Sequence, residues 1–577
     1  MTELSLLLRR AICFLAVVAV LAACTGQTAS QQPVAPVSST AADSTAGELP
    51  TELGPTPPDQ RVQFTVSLRL PGAAELDRYL RGLVTPGSSA YQHYLQPAEF
   101  GSRFGLSDAR VAAVVEWVEK GGLQVDVMPQ RTSLAVAGTA AQVRAVLGVD
   151  LVDWQNAAGQ RYHVPTGEAA VPENLGNDVA AVLGLNTEPL IRPASVPPVL
   201  KAGAGAGLLP DTVAKAYEIS PLHDAGLDGQ GMTIAIVSFD TFTPSDVDLF
   251  DRNFNIAGAP PVDVVHLDGG PEEPGDGSGE VALDIQVIRG IAPQAQIVNY
   301  EGPNTADGFV PIVSRIVADG RAKIVSISWG LCENQSSVQA MRAEQREFAA
   351  AFAAGISVFS SSGDDAAYDC RRVNVSDNPF ERDLSPGVDW PSASPNVISV
   401  GGTFLSIRQD GTYLEEAGWE EPLGGAGGGG GLSAFHQRPD WQVGAGVDNS
   451  ASNGMRQVPD VAGPADPTSG FVVTYTDPGR GLVSGRVGGT SAAAPFWAAS
   501  MLLTQELAAR EGVAFLGPLG PVLYQVAAEQ PTGAVFHDVI RGGNLLYSAG
   551  PGWDFSTGLG TPRVAPLARA IIDLLKR

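Results

Sequence analysis

The chain has 577 residues and a formal charge of −26, with 62 acidic side chains against 36 basic ones. That balance argues against binding along a nucleic-acid backbone, and the length corresponds to two to four domains at about 150 residues each. Hydrophobic residues make up 44% and charged residues only 17%, below the roughly 25% charged of an average soluble protein, so a disordered or low-complexity chain is excluded. Five of the basic residues are lysines. A surface dominated by carboxylates loses its mutual repulsion as pH falls.

Residues 1–23 carry Arg9 and Arg10 and then an apolar run from Ala11 to Ala23, the pattern of a secretory signal. Leu21-Ala22-Ala23-Cys24 resembles the bacterial lipobox, in which the cysteine is lipidated and becomes the new N-terminus. The expectation is an exported protein whose precursor is anchored to a membrane through Cys24. No later stretch reaches the roughly 18 uninterrupted apolar residues of a spanning helix. Cys13 leaves with the signal, so Cys332 and Cys370 remain, an even pair that is a disulfide candidate in an exported protein.

Residues 24–59 are rich in Ser, Thr, Ala, Pro and Gln and read as a flexible tether. Order is expected from near Arg61. Residues 62–68 alternate like a half-buried strand, 73–83 and 107–119 have helical periodicity, with Ser107 placed as an N-cap. Residues 123–128 and 132–137 read as strands and 140–147 as a helix, which makes 60–188 a small α/β domain. Residues 189–207 read as a linker ending in Lys201-Ala202-Gly203-Ala204-Gly205-Ala206-Gly207, an exposed connection open to proteolysis. The run 424–431 reads as a flexible glycine loop.

From 208 to 577 apolar strands alternate with amphipathic helices. Strands are predicted at 232–239, 296–300, 323–328 and 356–360, and helices at 279–290, 310–318 and 338–353. The fold class is therefore α/β, a parallel sheet with helices on both faces, and such sheets gather their sites at the carboxyl ends of strands.

The sharpest local signal is Gly488-Gly489-Thr490-Ser491-Ala492-Ala493-Ala494-Pro495, which runs into a helix extending to about Arg510. A serine in a first helical turn sits where unpaired N–H groups and the helix dipole favour negative charge. That suits a nucleophile whose attack creates an oxyanion; the plainer alternative is that Thr490 or Ser491 caps the helix. None of the six histidines lies at the start of the helix after the first strand of the sheet, where a His-dependent hydrolase of this layout needs one. That helix opens instead Gly279-Glu280-Val281-Ala282-Leu283-Asp284. Glu280 and Asp284 are four apart and share one face, and two close carboxyls push their titrations apart, which leaves one usable as a base in acid. A third carboxyl, Asp364, follows the strand 356–360, and when protonated it is a hydrogen-bond donor for an oxyanion.

Taken together these residues resemble the sedolisins, serine-carboxyl peptidases with a subtilisin-like fold. Residues 60–188, including Tyr91-Gln92-His93-Tyr94-Leu95-Gln96-Pro97-Ala98-Glu99-Phe100, are similar to the pro-kumamolisin activation domain. The resemblance implies a zymogen that hydrolyses protein or peptide substrates, with its own prodomain as intramolecular inhibitor. It places the catalytic set on Glu280, Asp284, Asp364 and Ser491 and the substrate-binding strand on Ser328, Trp329 and Gly330. It also implies one structural calcium ion held by Asp538, Val539, Gly550, Gly552 and Asp554. Pro391 through Thr403 and Val458 through Ala462 match further landmarks. One departure stands out: Ser238 occupies a position where some members carry a glutamate, with Asp240 two residues on. A tripeptidyl-peptidase of the same family and a non-catalytic peptide-binding relative are the alternatives.

Overall fold

Ile324–Ile327 has no polar–apolar alternation, with apolar β-branched residues on both sides of Ser326, as a strand covered on both faces requires, and it is buried at every residue. A computed structural model describes residues 49–194, 196–199, 207–371 and 384–577. The signal-like segment, Cys24 and most of the 24–59 stretch lie outside the described residues. The main sheet runs in the order Asp263–His266, Gln296–Glu301, Thr233–Ser238, Ile324–Ile327, Ser357–Ser361, Ile398–Ile407, Tyr413–Gly418. Its first six strands are parallel; Tyr413–Gly418 is antiparallel to Ile398–Ile407, and Val461–Pro464 pairs with that same strand.

From Thr233–Ser238 the chain passes to the edge strand Asp263–His266, returns to Gln296–Glu301 on the same side, and then crosses to Ile324–Ile327 on the other, so the switch point is at the carboxyl end of Thr233–Ser238. Helices Ser278–Ile291 and Thr490–Arg510 pack on each other, as do Phe309–Asp319 and Val338–Ala353. The predicted elements of 208–361 all form, with ends shifted by one or two residues. Cys332 and Cys370 form a disulfide.

The N-terminal domain is a four-stranded antiparallel sheet ordered Gln124–Val127, Ser133–Thr139, Arg61–Leu68, Val179–Leu183. Order begins earlier than expected. Thr51–Pro55, placed in the tether by composition, is a strand paired with Leu151–Gln155; its partner is about a hundred residues away, so no local pattern betrays it. Ser107 does stand at the N-cap, yet its side chain makes no capping bond.

This domain docks on the helix Val338–Ala353. The Gln130 amide and the Thr132 and Ser133 hydroxyls donate to the Glu347 carboxyl at 3.3, 2.8 and 3.0 Å, and burial pushes Glu347 up to about 7. The Tyr94 ring fills the space over Gly355 and Gly517, where any Cβ would collide with it. Leu95 N–H donates to Ala353 O at 2.9 Å. The Tyr91–Phe100 motif is thus an anchor between domains.

Candidate active site

The helix Thr490–Arg510 begins after Gly489, whose φ of 104° is a left-handed conformation that glycine adopts without a Cβ clash. Gly488 before it leaves no room for a side chain, because a Cβ there would meet Ala465 O at 2.2 Å. This close approach fixes Ser491 in the first turn, fully buried. Its hydroxyl donates to Ser328 O at 3.0 Å. None of the six histidines, all described, hydrogen-bonds that hydroxyl. The His-dependent layout is therefore not formed.

Glu280 and Asp284 lie one turn apart near the start of Ser278–Ile291 and are 3% and 0% exposed. Asp240 organises this helix start: its carboxylate accepts from Gly275 N–H at 2.8 Å and Gly277 N–H at 2.7 Å. Ser238 has turned to another task, donating to Asn299 Oδ1 at 2.6 Å. The Ser328 hydroxyl donates to Asp284 Oδ1 at 2.5 Å, and it also lies 3.1 Å from Ser491 O. Burial pushes Asp284 well above the usual carboxylate range, with the Ser328 hydrogen bond acting the other way.

Asp364 follows the strand Ser357–Ser361. Its Oδ1 accepts from Thr490 N–H at 2.7 Å and from the Thr490 hydroxyl at 2.9 Å, which couples it to the residue beside Ser491. Its Oδ2 is out of solvent and has no hydrogen-bond partner among the described residues. Burial drives its proton affinity far up; the Thr490 donors oppose this, and the neighbouring Glu280 charge adds to it. With Oδ1 taken up by the two Thr490 donors, a proton on this acid would sit on Oδ2.

The glycine run expected to be flexible is packed under this residue. Gly427–Gly431 are all buried. Gly427 N–H donates to Asp364 O and Gly429 N–H to Gly363 O, at 2.9 and 2.8 Å. A Cβ on Gly429 would stand 2.0 Å from Ser362 O. Composition suggested mobility where the fold uses glycine for contact.

Trp329–Cys332 is a short strand flanked on one side by Asp389–Trp390 and on the other by Arg192–Pro193, antiparallel to both. Trp329 packs edge-on against Phe239, and Gly330 leaves space that Asp389 occupies, since a Cβ would lie 3.0 Å from its Oδ2. The partner Arg192–Pro193 belongs to the segment expected to be an exposed linker. Ile191 and Ala194 are instead 3% and 7% exposed: the Ile191 side chain joins the main core, and the segment's own main-chain groups make its hydrogen bonds, which leaves no side-chain pattern to read. Asn304, in the turn after Gln296–Glu301, also bonds this segment; as a single loop amide it carried no sequence signal.

Far from these groups, Gly552 N–H donates to Asp538 Oδ1 at 3.0 Å and Gly550 N–H to Asp554 Oδ2 at 3.1 Å. The two carboxylates thus close on one turn, and among the described residues no cationic side chain acts on either. No group of three or more His, Cys, Asp or Glu side chains fit to hold a metal occurs among the described residues, so an ion here needs backbone carbonyls as well. Two carboxylates with the carbonyls of Val539, Gly550 and Gly552 are hard oxygen donors of the kind calcium takes.

Residues 50–188 match the pro-kumamolisin activation domain and residues 269–514 the subtilase family. The chain is 34% identical to kumamolisin of Bacillus sp. (strain MN-32), over 90% of this chain and 93% of that protein. It is 31% identical to sedolisin of Pseudomonas sp. (strain 101), over 89% and 87%. Among solved structures it resembles Pseudomonas sedolisin, a serine-carboxyl proteinase complexed with two molecules of pseudo-iodotyrostatin, with a TM-score of 0.54, 28% identity, and coverage of 64% of this chain and 99% of that one. The likeness extends through both the activation and the catalytic regions, and the chain belongs to the kumamolisin and sedolisin family of serine-carboxyl peptidases.

Proposed function

We propose that this peptidase is an exported endopeptidase active in acid, with Glu280, Asp284, Asp364 and Ser491 as its catalytic set. The observation that carries the reading is the Ser491 hydroxyl at a helix start, with Asp284 and Asp364 buried nearby and held by hydroxyl and N–H donors. In the proposed cycle Glu280 takes the proton from Ser491 as Oγ attacks the scissile carbonyl carbon. Asp284 orients Glu280 and shares its proton, and the Asp284–Ser328 hydrogen bond holds that helix face against the substrate strand. The oxyanion is met by Ser491 N–H and by the proton on Asp364. Glu280 then protonates the leaving amine, and water hydrolyses the acyl-enzyme by the same steps reversed.

Ser328, Trp329 and Gly330 bind substrate by adding a strand. The groove holds chain beyond the third residue upstream of Ser491, since Ile191 through Ala194 all lie in it. That favours an endopeptidase over a tripeptidyl-peptidase, whose groove must close there. The activation domain inhibits by keeping this segment in place.

One calcium ion held by Asp538, Val539, Gly550, Gly552 and Asp554 would cross-link the C-terminal loops; chelation is expected to lower Tm, and an unchanged Tm argues against the ion. Cys24 anchors the precursor by lipid, and a cut in the linker frees the catalytic domain.

The test is to acidify purified precursor beside its Ser491→Ala and Glu280→Ala forms. Self-processing confined to the unsubstituted chain is expected. Equal processing of the Glu280→Ala form would refute the assignment of the base.

A further inference from the structure

The segment between the two domains is held by more than its pairing with the substrate strand. Asn304 grips one residue from both sides: its Oδ1 accepts from Ile191 N–H at 2.9 Å, and its Nδ2 donates to Ile191 O at 2.9 Å. A side-chain amide bonded this way reproduces what an opposing strand residue does in an antiparallel ladder. Three residues on, Ala194 N–H donates to Ser328 O at 3.0 Å, and Ala194 O accepts from Ser491 N–H at 3.0 Å. Between them Pro193 stands opposite Trp329 and Arg192 opposite Gly330. Past the serine, the backbone of Val196–Val199 pairs with Gly481–Gly488, with Val196 opposite Gly488. The described residues on either side of position 195 are therefore each held in register.

Register decides which bond faces the nucleophile, and a slip by one residue would turn every side chain over. Here it is fixed at both ends, by Asn304 on Ile191 and by Ser328 and Ser491 on Ala194. An N–H 3.0 Å from a carbonyl oxygen is the geometry of an oxyanion donor. Resting on the serine-carboxyl reading above, we infer that Ile191–Ala194 is the enzyme's first substrate, that the bond cut in maturation is the one following Ala194, and that Asn304 is the clamp for the fourth substrate residue upstream of the cut. Asn304 is a positioning residue, since it touches substrate backbone remote from the reacting atoms.

The step balances without a further reactant. The Ser491 hydroxyl leaves Ser328 O and gives its proton to Glu280 as Oγ bonds to the Ala194 carbonyl carbon. The carbon–nitrogen bond after Ala194 breaks, and the nitrogen leaves as an amine carrying that proton. Water then adds to the ester, releasing the Ala194 carboxyl group and restoring the Ser491 hydroxyl.

The experiment acidifies full-length precursor and takes intact masses during the first tenth or so of conversion. The earliest products are expected to be a fragment ending at Ala194 and its complement beginning at Ser195. Their rate constant should not depend on precursor concentration, because the bond is already seated. Earliest products ending elsewhere, or a rate proportional to concentration, would overturn the inference while leaving the peptidase reading intact. Processing that persists in Ser491→Ala would instead sink that reading. With the activation domain removed, Asn304→Ala is expected to lose about tenfold more activity on peptides that reach the fourth upstream residue than on peptides two residues long on that side. Asn304→Asp keeps the acceptor and regains a donor when protonated, so it should recover the long-peptide activity in acid. Equal losses on both lengths, or no acid recovery, would show that Asn304 is only structural.

Discussion

Two carboxyl clusters lie at similar depth in the catalytic domain and are built in opposite ways. Asp460 is fully buried and forms a two-pronged salt bridge with the equally buried Arg456, at 2.7 and 2.5 Å. Ser399 N–H, the Tyr524 hydroxyl and the Gln442 amide donate to it as well, at 2.8, 3.0 and 3.3 Å. Asp284 and Asp364 have hydroxyl and N–H donors and, among the described residues, no cation. Burying a carboxyl beside a guanidinium keeps the ion pair as structure. Burying one without a cation stabilises the neutral acid, which then has a proton to share or donate. In the proposed cycle the same side chain is a girder in one place and a reagent in the other, and the difference is the neighbour.

Substitutions can break this comparison at either end. Ser491→Ala removes the nucleophile that the uncompensated cluster serves, and turnover of a peptide substrate should fall by roughly 10⁶-fold. Glu280→Gln, measured as kcat/KM at acid pH, should cost roughly 10²–10⁴-fold, the range for a general base. A loss of less than tenfold would separate Glu280 from proton transfer. Asp364→Ala should cost roughly 10²–10³-fold in kcat, with KM much less affected.

The paired cluster should respond in stability instead. Asp460→Asn leaves Arg456 buried without its partner and should lower unfolding free energy by about 3–5 kcal/mol, read from denaturant midpoints. Asp284→Asn removes no ion pair, so its stability should stay near that of the parent chain. Equal destabilisation of the two variants would erase the distinction drawn between the clusters.

The smallest expected effect comes from the domain interface. Glu347 at that interface, and Glu344 on the same helix where it accepts from the Trp390 ring N–H, are raised to about 7 and about 8 by burial. A folded-state value above the unfolded one means stability complete below about pH 4.5 and lost as pH rises through the folded values. Precursor carrying Ser491→Ala should therefore have a Tm that drops by a few degrees from acid to mildly alkaline pH. A rise over that range would contradict the burial of these groups.

Much of this was legible from residues because it rests on local pattern. The strands of 233–361 are apolar runs, the helices between them are amphipathic, and Glu280 with Asp284 at a four-residue spacing fixes a shared helix face. Asp364 and Ser491 could be read from their places after a strand and before a helix. What escaped depends on distant partners. Thr51–Pro55 needs Leu151–Gln155 to be a strand. Ile191–Ala194 is held through main-chain atoms that every residue possesses, and the buried glycines at 427–431 are explained by remote backbone, Gly429 by Ser362, Gly428 by Gly402 and Gly430 by Phe555. Asn304 gains meaning only when Ile191 lies across it.

The proton on Asp364 is where the two clusters differ most, and it can be probed alone. Asparagine offers the same donor but cannot ionise, so kcat/KM should be followed against pH, from about 3 to about 7, for the parent chain and for Asp364→Asn. The parent's activity is expected to fall as pH rises and that proton is lost, while the variant, though slower, holds its activity further toward neutral pH. Superimposable profiles would contradict a neutral Asp364 as the oxyanion donor.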